Sequence, residues 1–308
     1  MQCLIVNADD FGWSQRVNEA VQLAHTGGIL TTASLMVAEV AWIDAVDIAR
    51  ANPALGVGLH LSTTFDRPLL PADQIPHLHR TAGRFESNPV RAGLLYAFSR
   101  AAGAELEREM EAQFERFNQT GLAWDHVDGH QHFHMHPTVF RHLLTLCDRY
   151  EVSRLRVPRE SLLAHFRGGG DGITPVVVGA LILQLLCRIN LRTLKRKKKL
   201  GGRPIFVCDR VYGDFQSSNM NAEYSLRLLD RISEPVCEVY YHPGTDYARK
   251  LPIAAQTEQI RDVELAALLN PEVRDRVHAR NMQLATYAEA EIAISAQKES
   301  ERASACSG

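Results

Sequence analysis

Residues 1–28, MQCLIVNADDFGWSQRVNEAVQLAHTGG, hold the pattern on which the fold turns. Residues 3–6 form a short apolar strand. Residues 14–25 then place Val17, Val21 and Ala24 at helical spacing, and Gly27 with Gly28 closes the helix. That is one βα unit, and the unit recurs. Further strands are expected over residues 35–37, 56–61, 126–130, 155–157, 205–207 and 237–241. Further helices are expected over 42–51, 138–150, 222–232 and 256–269. So many βα repeats favour an α/β fold on a parallel sheet, open or closed into a barrel.

Two stretches interrupt the rhythm. Residues 66–123 carry a Pro-rich loop (Pro68, Pro71, Pro76) and a charged helix over 104–117, read as an excursion over one rim. In residues 160–203 the Gly-rich RGGGDG (167–172) precedes the apolar run ITPVVVGALILQLLC, and RINLRTLKRKKKLGGR then supplies eight Lys or Arg. The expected organisation is one domain over 1–290 with these two excursions. The tail 296–308 (AQKESERASACSG) has the composition of a disordered segment.

Composition bounds the function. With 308 residues, 45% apolar and 23% charged, and a net charge of −2, the chain can bury a large core and is neither fibrous nor disordered. Six cysteines without a CxxC pair argue against a zinc ribbon or a thioredoxin-type site. The first residues lack a basic region ahead of the apolar run, so they read as a strand and not a signal peptide, and a cytoplasmic location is expected. The basic run lacks interleaved aromatics, so no nucleic-acid partner is expected.

Acids and histidines carry the chemistry. Asp9 and Asp10 are adjacent carboxylates directly after an apolar strand, and they repel each other unless a cation or a proton lies between them. A helix N-cap with a neighbouring surface acid is the competing reading. His60 ends the strand GVGLH. In DHVDGHQHFHMHP (125–137), His126, Asp128, His130, His132, His134 and His136 occupy alternate positions, which an extended chain would point to one face. Neutral imidazole with carboxylate is the usual ligand set of a catalytic divalent ion. Arg156 in LRVPRE and His242 in EVYYHPG also follow apolar strands. Asp9, Asp10, His60, His130, Arg156 and His242 thus each fall at or just past a strand's C-terminal end, and a barrel would bring all six to one rim.

Taken together, NADDFG, GLHL, HVDGHQHFHMHP, RVPRE and YYHPG resemble the YdjC-like carbohydrate deacetylases, whose best-known type acts on chitooligosaccharides. The likeness runs from residue 2 to about 290. IPHL followed by GRF, VRAGLLYAFSR and LEREMEAQFERF resemble the hopanoid biosynthesis-associated (HpnK) branch of that family. The resemblance implies a distorted TIM-like (β/α) barrel. It implies one divalent metal ion (Zn, Mg, Mn or Co) on Asp10, His60 and His130, Asp9 as base and His242 as proton donor to the leaving amine. Arg156 would orient Asp9 or hold substrate, Asp128 would fix the tautomer of a ligand histidine, and His132 and His134 would serve as supporting or sugar contacts. The substrate implied is an N-acetylated sugar, soluble or borne on a hopanoid glycolipid.

Residues 176–187 are too short for a span of about 20 residues and read as a buried or interfacial helix. Lys195, Arg196, Lys197, Lys198 and Lys199 follow and would attract an anionic membrane surface from the inner face; a core helix followed by a solvated basic loop is the alternative. Two rival functions remain: a metal-dependent phosphoesterase, which calls for more carboxylate ligands, and a barrel that only binds sugar or lipid.

Overall fold

The computed structural model describes residues 2–79, 83–160, 175–216, 219–245 and 256–306. Among these, seven strands pair in parallel: β1 (Gln2–Phe11), β2 (Thr32–Leu35), β3 (Gly56–Leu61), β4 (Val127–Gly129), β5 (Arg210–Tyr212), β6 (Val236–Tyr241) and β7 (Met282–Leu284). The sheet order is β4-β3-β2-β1-β6-β5, with β7 on the start of β1. Single parallel bridges continue the path from Val127 to Leu155 and from Arg154 to Phe206, which leads into β5. The strand circuit therefore all but closes, and the fold is a distorted TIM-like barrel. The expected strands at 155–157 and 205–207 shrink to those bridges.

Among the described residues ten helices surround it: α1 (Gln15–Gly27), α2 (Trp42–Ala51), α3 (Pro89–Phe98), α4 (Arg100–Gln119), α5 (Pro137–Arg149), α6 (Pro175–Lys199), α7 (Ala222–Leu229), α8 (Gln256–Leu269), α9 (Pro271–Ala279) and α10 (Tyr287–Cys306). β1 is buried on both faces, as a central parallel strand requires. Leu4, Val6 and Ala8 join the main core under the helices, while Cys3 and Ile5 pack on the opposite face with Val211, Val236, Tyr240 and Tyr287.

Four expectations change. The first excursion holds two helices, because Asn88 caps α3 by accepting the Val90 and Arg91 N–H groups and Pro89 starts it. The basic run is no loop: it forms the last turns of α6. The tail, expected to be disordered, stays helical through Cys306 in α10. The alternation of histidines ends at His130, where a 3-10 turn over His130–Met135 begins with Gln131 and His132 in left-handed conformation (φ 53 and 54). The RGGGDG stretch lies outside the described residues. No helix among the described residues is long and apolar enough to cross a membrane.

Candidate active site

β1 sets the site by breaking its own alternation. In a regular strand Asp9 and Asp10 would face opposite sides. Here Asp10 adopts φ 65, and the pairing with β2 shifts register between Ala8 and Phe11. Such a bulge re-aims a side chain, and Asp tolerates the left-handed region better than most residues. Both carboxylates are buried and turn to the C-terminal rim. Neither caps α1, whose N-cap is Ser14, with its hydroxyl accepting the Val17 N–H at 3.3 Å.

Asp10, His60 and His130 converge. Asp10 Oδ1 lies 3.2 Å from His130 Nδ1 and 3.6 Å from His60 Nε2. One donor atom from each of the three residues falls within 4.8 Å of the others. Four-coordinate zinc with bonds of about 2.0–2.2 Å separates neighbouring donors by about 3.4 Å, so this set fits a divalent cation. His60 is also pre-set for ligation. Its Nδ1 lies 2.8 Å from Asp128 Oδ1, which leaves Nε2 to face Asp10. A second trio, Asp9, His60 and Asp128, is equally close, but the Arg156 guanidinium already occupies both carboxylates and makes it a poor cation site.

Arg156 is the keystone beneath. It is fully buried, donates from Nη1 and Nη2 to the two oxygens of Asp9 at 2.8 Å each, reaches Asp128 at 2.5 Å, and donates to Glu238 at 2.6 Å. Its face packs on the Tyr240 ring, 4.8 Å to the centroid. With no exposed surface it cannot hold substrate, so the orienting role is the one its position allows. Asn7 Nδ2 donates to Asp9 Oδ1 at 2.7 Å and completes the clamp.

Opposite, His242 follows β6. Its Nε2 stands 4.0 Å from Asp9 Oδ2, and its Nδ1 lies 3.9 Å from the buried Glu264 Oε2, which also accepts the His242 backbone N–H. Asp9, His60, His130, Gln131, His132, Asp214, Tyr240 and His242 line a cavity of about 60 Å³. His132 sits in its wall, with Nε2 3.0 Å from the Tyr240 hydroxyl. His134 does not reach the cavity: its Nε2–H donates to the Arg156 carbonyl at 3.0 Å, and it packs under Gly129, where an added Cβ would lie 2.9 Å from its ring. Lys195–Lys199 lie on α6, away from this cavity.

The charges explain the protonation states. Burial would raise Asp10, but Arg261, donating to its Oδ2 at 2.7 Å, and His130 hold it well below the usual carboxylate range. Burial would raise Asp128 too, and Arg156 and His60 override it. Burial pulls His60 down, yet Asp128, Asp9 and Asp10 carry it up to about 9. The carboxylates around His60 thus favour positive charge at its ring. On the far wall burial lifts Asp214 to about 6, and burial with the Asp214 charge lifts Glu160 to about 8.

Glu238, Glu264, Arg261, Asp214 and Tyr240 were not among the expected residues. Glu238 did carry a signal, since an acid inside the apolar strand VCEVYY must find a buried partner. Arg261 and Glu264 sit on α8 without one.

The sequence profile of the family described as YdjC-like protein matches residues 3–279. The chain belongs to that family. A carbohydrate deacetylase of Brevibacillus brevis is 31% identical over 287 residues, 93% of this chain and 98% of its own length. A carbohydrate deacetylase of Geobacillus stearothermophilus is 33% identical, covering 92% of this chain and 96% of its own. A chitooligosaccharide deacetylase of Proteus mirabilis is 32% identical over 66% of this chain and 79% of its own. Among solved structures, a candidate cellobiose-phosphate cleavage protein of Enterococcus faecalis V583 superposes with a TM-score of 0.69 at 23% identity, over 93% of this chain and 98% of that one; it shows the shared fold.

Proposed function

We propose that this protein is a metal-dependent carbohydrate N-deacetylase that hydrolyses the acetamide of an N-acetylglucosamine unit. The observation that carries this reading is the meeting of Asp10, His60 and His130 donor atoms beside an Arg-clamped carboxylate, Asp9, which faces His242 across the cavity. Family membership and the names of the relatives support it.

An amide is a weak electrophile with a poor leaving group, so its hydrolysis needs an activated water, polarisation of the carbonyl and a proton for nitrogen. Asp10, His60 and His130 would hold a divalent ion, and two imidazoles with one carboxylate accept Zn, Mn, Co or Mg. When bound, that ion supplies Lewis acidity at the amide oxygen and makes water nucleophilic at neutral pH. Asp9 takes the proton of the attacking water, its oxygens aimed by Arg156 and Asn7. His242, oriented by Glu264, gives a proton to the departing nitrogen, and the products are the free amine and acetate. Asp128 holds the His60 ring in the ligating tautomer.

On substrate, the HpnK-like segment that becomes α3 and α4 supports an N-acetylglucosaminyl hopanoid. The Proteus mirabilis relative supports a soluble chitooligosaccharide as the second reading. Acetate release from each substrate, measured with the zinc-loaded chain in the presence of vesicles, tests both. Turnover is expected on the glycolipid first; release from chitooligosaccharide alone would select the second reading, and none from either would reject the deacetylase.

A further inference from the structure

The surface carries two exposed apolar ridges. On α6, Leu181, Ile182, Leu185 and Ile189 are exposed at 48, 58, 56 and 44%, although Cys187, Asn190 and Leu194 on the opposite face are buried. On α3, Val90, Leu94 and Phe98 repeat at four-residue spacing and are exposed at 68, 54 and 82%. Isolated exposed apolar residues are ordinary, but rows of them on amphipathic helices mark a contact surface.

Both helices rest on loops of the site. The Tyr96 hydroxyl of α3 donates to the Thr63 carbonyl at 2.6 Å, just past His60, and the Tyr96 ring packs on Phe133 and His136. From α6, Asn190 donates to the Met135 carbonyl at 2.9 Å and Gln184 to the Pro158 carbonyl at 3.0 Å, just past His130 and Arg156. Both helices thus touch the segment that follows His130.

Charge selects what covers them. α6 holds seven Lys or Arg and no Asp or Glu, and no acid occurs between Glu86 and Glu105 around α3. Arg188, Arg192, Lys195, Arg196, Lys198 and Lys199 are exposed, while Lys197 is paired with Asp148 at 2.6 Å. We infer that α6 and α3 dock on an anionic lipid bilayer, with the apolar ridges entering the interface and the basic turns of α6 holding the headgroups. A protein partner or a second copy would be expected to answer these ridges with acids; a bilayer answers with anionic headgroups over acyl chains, the arrangement an interfacial amphipathic helix uses.

Co-sedimentation of the whole chain with vesicles tests this. Vesicles of phosphatidylcholine with about 30% phosphatidylglycerol are expected to bind it, and pure phosphatidylcholine to bind it far more weakly. Lys195→Gln with Arg196→Gln, Lys198→Gln and Lys199→Gln should weaken binding by up to about a thousandfold. Ile182→Ser with Leu185→Ser should weaken it by about tenfold or more. Acetate release from soluble chitooligosaccharide should stay unchanged in both variants, which separates docking from catalysis and reports correct folding; if wild type releases none, far-ultraviolet circular dichroism and thermal melting take its place. Absence of wild-type binding, or binding indifferent to these changes, overturns the inference. So does a dimer in light scattering that Leu185→Ser dissolves, which would assign the ridges to a second copy.

Discussion

Asp9→Asn is expected to lower turnover by about 10²–10⁴-fold, the range general-base catalysis supplies, while a divalent ion stays bound. The change removes the carboxylate that faces His242 Nε2 at 4.0 Å, and it leaves Asp10, His60 and His130 untouched. It also sets an amide against Arg156, whose two N–H groups now meet a carboxylate oxygen each. One of the two amide atoms is itself a donor, so one charged hydrogen bond becomes a donor–donor contact, at about 1–3 kcal/mol. Turnover should therefore fall far more than stability. Steady-state acetate release, with metal content and urea unfolding measured on the same preparation, checks the split. Near wild-type turnover would remove Asp9 from the proton path.

The second large effect is on folding. Arg156→Met should destabilise the chain by about 3–5 kcal/mol at neutral pH, because it leaves Asp9, Asp128 and Glu238 buried without their common cation. The sign of the pH dependence follows from Asp128, which Arg156 and His60 hold well below its unfolded value against the pull of burial. A depressed carboxylate contributes stability above its unfolded pKa and loses it as pH falls. Wild type therefore loses this contribution on acidification, while in the variant the uncompensated carboxylates protonate more readily. The gap between the two should narrow as the pH falls below about 4, where the unfolded-state carboxyl of Asp128 begins to take up its proton. Arg156→Lys keeps the charge but not the fork on Asp9, so it should recover part of the stability and little of the activity. Urea unfolding across pH checks this, and a gap that widens in acid would contradict it.

Much of this was legible in the residues, and the failures share a cause. α2 and β3 match their expected bounds because apolar periodicity and flanking Gly and Asn were unambiguous. β1 runs well past Val6, since periodicity cannot anticipate that Asn7, Asp9 and Asp10 are buried by a network with Ser34, Arg156 and Arg261. The six strand-end residues were visible because charge next to an apolar strand is costly without a partner. What lay hidden were the partners supplied by distant elements: Glu264 and Arg261 act through tertiary contact alone. The alternating histidines misled beyond His130, where Gln131 and His132 turn left-handed and send His132 to Tyr240 and His134 to the Arg156 carbonyl. On α6 the alternative of a solvated basic loop fails, because the helix that buries Cys187, Asn190 and Leu194 continues through Lys199.

The direct test of the account is elemental analysis of the zinc-loaded, desalted chain beside its His60→Ala and Asp10→Ala variants. One ion per wild-type chain and almost none in either variant is the predicted result. Full loading of the variants, or two ions per wild-type chain, would contradict a single cation held by Asp10, His60 and His130.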